Sequence, residues 1–172
     1  MRRTFGGRLE LAGIVIGLVV GLGCSGDPAK KRQAYLESGN ALMASNKPAD
    51  AIVEYRNAIK VDAKFGEARY RLAEAYSQTG DLRRAAQEYI RAADLLPDDA
   101  EVQVKAGAML LLGRQFEEAR DRAEKALKAD PKNIDAQILL GNATAGTRDI
   151  DGAIAEFEEA ISLAPGDSRG YT

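Results

Sequence analysis

Small and apolar residues return along this chain with a period of 34 positions. Ala51, Ala85, Ala119 and Ala153 form one column at that spacing, and Ala58, Ala92, Ala126 and Ala160 form a second. Gly39, Ala73, Gly107 and Gly141 form a third. A bulky column reads Tyr55, Tyr89, Ala123 and Phe157, with Ala123 the exception. The two alanine columns lie seven residues apart, which puts them on one face of a helix. The pattern predicts helices at about 30–45, 48–61, 66–79, 82–95, 99–112, 116–129, 133–146 and 149–163.

Turn chemistry agrees with these spans. Pro48 suits the first turn of the second helix. Gly80 ends the third helix and Asp81 caps the fourth, while Asp98 or Asp99, Asn133 and Asp149 stand where later helices begin. Pro97, Pro131 and Pro165 follow even-numbered helices and stop them, since proline lacks the N–H that winding needs. Ala63 holds that place in the first period. The small residue of each odd-numbered helix is expected to face the first alanine of the next helix, so that two backbones approach closely. The second alanine is expected to meet the following period.

A 34-residue period with these columns resembles the tetratricopeptide repeat (TPR) family. The units run 32–65, 66–99, 100–133 and 134–167, with 168–172 starting like a fifth, Tyr171 standing where Tyr35 stands in the first. The resemblance implies an all-α fold, a right-handed superhelix of helix-turn-helix units, each with a helix A and a helix B. It also implies a concave face of A helices that grips a partner peptide or helix. By register that groove holds Leu36, Asn40 and Met43, then Tyr70, Glu74 and Ser77, then Val104, Ala108 and Leu111, then Ile138, Asn142 and Ala145. Each of these either touches a partner or packs between A helices. Some family members hold a partner's terminal carboxylate with Lys, Arg and Asn. Asn40 and Asn142 fit, but Leu36, Tyr70, Val104 and Ile138 stand where cations would be needed, so no such clamp is expected. The apolar floor suits an amphipathic helix or an extended apolar peptide.

The first residues read differently. Arg2, Arg3 and Arg8 precede an uncharged run from Leu11 to Gly23, and Cys24 follows. As a helix the run spans about 20 Å, short of the ~30 Å hydrocarbon core. Residues 1–23 resemble a lipoprotein signal peptide. That reading leaves Cys24 lipidated, 24–31 as a tether, and a mature formal charge of −4 once three Arg and Glu10 are gone. Gly21 stands where that family prefers Leu. An ordinary signal peptide or an uncleaved anchor, with Cys24 incidental, are the other readings. Lys30, Lys31 and Arg32 either touch anionic headgroups or solubilise a helix start.

Composition narrows the chemistry. The 172 residues include no His and one Cys, and the formal charge is −2. His-based catalysis, His-ligated metal, an intrachain disulfide and a Cys-rich zinc site are therefore excluded. No basic stripe points to nucleic acid, no phosphate loop is present, and no cofactor is expected. Glu117–Glu118 and the Glu156, Glu158, Glu159 cluster, with Arg120, Arg122 and Lys125 close by, read as solvated helix faces. The expected function is a non-catalytic adaptor with a protein partner, tethered to the bacterial cell envelope and facing the periplasm. TPR lipoproteins of this kind serve as pilotins, in outer-membrane assembly and in exopolysaccharide export. Two alternatives stand beside it. One is a structural segment that self-associates through its open C-terminal repeat face. The other is the N-terminal part of a longer export or pilus-assembly protein.

Overall fold

A computed structural model describes residues 27–166, and among these it contains eight α-helices and no strand. They are α1 (Pro28–Ala44), α2 (Pro48–Val61), α3 (Gly66–Gln78), α4 (Leu82–Leu95), α5 (Ala100–Leu112), α6 (Phe116–Ala129), α7 (Ile134–Gly146) and α8 (Ile150–Leu163). Every expected span holds to within two residues at either end. Because α1 begins at Pro28, residues 28–31 of the expected tether are helix. The run at 11–23, Cys24 and residues 168–172 with Tyr171 lie outside the described residues.

The sequence specifies where the helices begin. Asp81 accepts from Arg84 N at 3.1 Å, Asp99 from Val102 N at 3.1 Å, Asn133 from Ala136 N at 2.9 Å and Asp149 from Gly152 N at 3.0 Å. Each cap satisfies an orphan N–H and contributes about 1 kcal/mol. Between the helices of each pair one residue takes a left-handed backbone: Asn46 (φ 55°), Gly80 (φ 81°), Arg114 (φ 59°) and Arg148 (φ 69°). These four are also 34 apart. The two arginines accept roughly 1–2 kcal/mol of strain each where Gly80 accepts none, so geometry and not residue type defines this turn.

Consecutive helices pack as antiparallel neighbours, α1 on α2, α3 on α4, α5 on α6 and α7 on α8, and each pair packs on the next through α2–α3, α4–α5 and α6–α7. A continuous core runs from Leu36 to Ala106 between the two helix layers. All eight column alanines of the B helices are buried, as are Gly39, Ala73, Gly107 and Gly141. Two details differ from expectation. A Cβ at Gly39 would come within 3.0 Å of three atoms of the Tyr55 ring, and one at Gly141 within 3.0 Å of three atoms of Phe157. The nearest neighbour of the small A-helix residue is thus the bulky ring, not the first alanine. At Gly107 the ring is missing, because Ala123 holds its place. The space is taken by Leu139 from α7 of the next unit, which packs with Ala123, Leu140 and Leu127. Leu139 stands in register with Glu37, Arg71 and Lys105, so one period has exchanged a surface charge for the missing core volume.

Candidate functional site: the inner face of the A helices

The A helices are α1, α3, α5 and α7. Neighbouring A helices pack on one another (α1 on α3, α5 on α7), and no comparable packing joins B helices among the described residues. The A side is therefore the inner side of the curve.

A polar latch sets each of α3, α5 and α7 against its B helix. Arg69 Nη1 donates to Glu88 Oε2 at 2.7 Å, Arg122 Nη1 donates to Gln103 Oε1 at 3.3 Å, and Gln137 Nε2 donates to the Glu156 carboxylate. All three pairs are 19 residues apart. The A-helix member also holds the preceding unit. Arg69 donates from Nε and Nη2 to the Ala63 carbonyl at 3.1 and 2.8 Å, and Gln103 Nε2 donates to the carbonyls of Ala93 and Leu96 at 2.7 and 3.0 Å. Ala63 is the place where later periods carry proline, so Arg69 fixes a loop that lacks that constraint. Arg122, expected on a solvated face, instead reaches Asp94 of the preceding unit at 2.6 Å. Arg32 likewise is not free for headgroups: its guanidinium pairs with Asp62 and lies 4.6 Å over the Phe65 ring.

With the A helices fixed, the expected groove residues divide. Leu36 is buried and serves packing. Tyr70 is also buried, its hydroxyl donating to Glu101 Oε1 of the next unit at 2.6 Å and its ring meeting Tyr89 edge-on at 5.7 Å. Asn40 is exposed but accepts from the Tyr55 hydroxyl at 2.8 Å. Ser77 is hydrogen-bonded to the Tyr89 phenol, and Glu74 accepts from Arg71 Nη1 at 2.8 Å. Met43, Val104, Ala108, Leu111, Ile138 and Ala145 are half-buried, and Asn142 is exposed, so these remain open to a partner.

Sequence reasoning missed a further row. Gln33, Glu67, Glu101 and Asp135 are in 34-residue register and all exposed. Glu101 and Asp135 share a hollow of about 220 Å³ with Val104 and Lys105. The column was readable in the sequence, but acids in a first helical turn also complement the helix dipole, which hides a recognition role. Around Val104, the acids Glu101 and Asp135 outnumber Lys105.

Burial and these carboxylates act on the tyrosines beneath the face. Burial pushes the Tyr55 phenol up to about 12, opposed by Arg71 and aided by Glu74. Burial, then the bond to Glu101, lifts Tyr70 far above the usual phenol range, and burial lifts Tyr89 against the Ser77 hydrogen bond. A raised folded-state pKa means that stability is complete below the unfolded value of 10.0 and falls as pH climbs through the folded value. For Tyr55 alone the loss is on the order of 2–3 kcal/mol between pH 10 and 12. We therefore expect three of the six tyrosines to ionise only as helicity disappears, read by phenolate absorbance beside circular dichroism. Ionisation of all six near pH 10 with the helices intact would contradict this burial.

The tetratricopeptide repeat family model matches residues 42–108 and 110–172. Anaphase-promoting complex subunit 3 of Schizosaccharomyces pombe is 25% identical over 136 residues, covering 79% of this chain and 20% of that protein. DnaJ homolog subfamily C member 3 of Gallus gallus is 32% identical over 101 residues, covering 59% and 20%. The chain thus spans about a fifth of the length of these curated relatives. Among solved structures, MamA of Desulfovibrio magneticus RS-1 (residues 41 to the end) superposes with a TM-score of 0.72 at 23% identity, covering 82% of this chain and 80% of that one. Pseudomonas aeruginosa pilF superposes with a TM-score of 0.66 at 22% identity, covering 83% and 65%. These two likenesses concern the fold. With the family match spanning most of the chain, on a fold of paired helices in 34-residue register, this chain belongs to the tetratricopeptide repeat family.

Proposed function

We propose that this chain is a protein-binding scaffold whose inner A-helix face receives a partner segment that is apolar along one side and basic at its edges. The observation that carries this is the joint placement of Val104, Glu101, Lys105 and Asp135 around one hollow, with Ile138 on the next turn of α7. A half-buried apolar floor offers contact area, and the flanking carboxylates select a partner with Lys or Arg beside its apolar residues. The fold class supports a scaffold over an enzyme. The partner is identified by this chemistry alone.

The test places a photo-crosslinking residue at Ala108, and separately at Glu124 on α6. A partner should be trapped from Ala108 and not from Glu124, and Val104→Glu with Ile138→Glu should abolish trapping. Equal trapping from both places would remove the groove from the account. The envelope tether is a second part of the proposal and rests on the basic start, the apolar run and Cys24. Cys24→Ser should abolish lipid labelling and release the chain from the membrane fraction. A variant that stays membrane-bound and uncleaved would end the lipoprotein reading. Self-stacking is the other reading, favoured by the 51% exposure of Ile154 on α8, whose counterpart Ile52 packs against the core. A solution mass that rises with protein concentration would support it.

A further inference from the structure

The outer side of the array carries a second feature. The B helices α2 and α4 do not close on one another, and between them lies a furrow of about 500 Å³ floored by Leu72 and Tyr76 of α3. Val53, 55% exposed, forms one wall. Arg56 and Lys60 continue that wall at helical spacing from Val53, and Arg91 of α4 stands opposite. Arg69 and Glu88 complete the charges of the furrow, which sum to three more positive than negative.

The next seam explains why this one is open. There, Asp94 of α4 and Arg122 of α6 bridge the gap at 2.6 Å. In 34-residue register their counterparts are Lys60 and Glu88. Those two carry opposite charges and could bridge in the same way, but Glu88 is already taken on both oxygens, by Arg69 at 2.7 Å and Arg91 at 2.6 Å. Lys60 and Arg56 are left without an ion-pair partner among the described residues. Two unpaired cations therefore stand beside an apolar floor, in a cleft whose low-dielectric walls concentrate their field.

We propose that this furrow is a second docking surface, separate from the groove, and that it takes an acidic peptide segment carrying one apolar side chain. The carboxylates meet Arg56, Lys60 and the half-exposed Arg91, and the apolar side chain lies on Leu72, Tyr76 and Val53. Arginine's planar fork suits carboxylates, and the apolar floor discriminates against a bare anion, which would leave it uncovered. The surface does not depend on the groove reading, since no residue of the furrow belongs to the groove.

The test uses the full chain and a fluorescein-labelled Glu-Glu-Leu-Glu-Glu peptide, read by anisotropy. Saturable binding with a Kd on the order of 10–100 μM, weakening with added salt, is expected. The same peptide with Gln for every Glu should bind at least about tenfold more weakly. Arg56→Gln with Lys60→Gln should also weaken binding about tenfold or more. Both side chains are exposed and unbonded, so circular dichroism should stay unchanged. Val104→Glu, in the groove, should leave the Kd as it is. Lys60→Glu alone provides an independent variant and should weaken binding in the same direction. Absence of saturable binding, equal affinity for the Gln peptide, an unchanged Kd in the Arg56/Lys60 variants, or loss of binding on Val104→Glu would each overturn the proposal. Displacement of the peptide by inorganic phosphate at comparable concentration would also overturn it, by showing a simple anion site.

Discussion

Glu88→Ala lowers the unfolding free energy by about 3–5 kcal/mol in urea denaturation, more than any other single charge removal in the array. Glu88 is almost wholly buried, and its carboxylate is the common acceptor for Arg69 and Arg91. Removing it leaves the Arg69 guanidinium, 14% exposed, with only the Ala63 carbonyl. An uncompensated buried charge is what makes that loss large. The Arg91 half contributes little, because Arg91 is more than half exposed and solvent screens it. Glu88→Gln keeps one acceptor oxygen and should cost about 1–2 kcal/mol. Replacing Arg69 and Glu88 together by Ala should cost clearly less than the sum of the single changes, since neither charge is then stranded. Additive losses would mean that the pair is not coupled and that the latch is incidental.

The second large effect sits at the first ring. Tyr55→Ala should destabilise by about 3–5 kcal/mol, because the ring is fully buried and fills the space above Gly39. Tyr55→Phe should cost about 1 kcal/mol, the net worth of its bond to Asn40. Gly39→Leu alone should also destabilise, by about 1–3 kcal/mol or more, by driving a side chain into that ring. Combined with Tyr55→Ala it should recover part of the loss. The third unit already uses a version of this exchange, with Ala123 in the ring position and Leu139 in the vacated space. A double variant no more stable than Tyr55→Ala would show that the cavity is too specific in shape to be refilled from the other helix.

The alanine columns and the caps made the helices legible, since burial at 0–3% exposure tolerates only small side chains where backbones nest. Less could be read of what joins the units. The latch column runs Tyr35, Arg69, Gln103, Gln137 and its partner column Glu54, Glu88, Arg122, Glu156. The first column keeps no residue type, and the second keeps Glu at three of four places, where it reads as ordinary helix-surface charge, so the 19-residue pairing emerges only with the helices in place. The left-handed turns were half visible, through Gly80, and hidden at Arg114 and Arg148. In the groove, register found the inward positions. It could not separate Leu36 and Tyr70, which neighbours cover, from Val104 and Ile138, which they leave open, because that difference depends on how closely adjacent A helices approach.

The latches also make the repeats non-interchangeable. A hybrid joining helix A of the second repeat to helix B of the third would set Arg69 against Arg122, two guanidiniums where one carboxylate had satisfied the first. Each of the last three hairpins is thus keyed to its own mate by a different chemical pair, although the backbone mould is common to all four. A folding chain with four look-alike hairpins risks pairing the wrong halves, and keyed pairs penalise such mispairing. The same keys oppose exchange of halves between repeats, so that this stretch of chain folds as an ordered series.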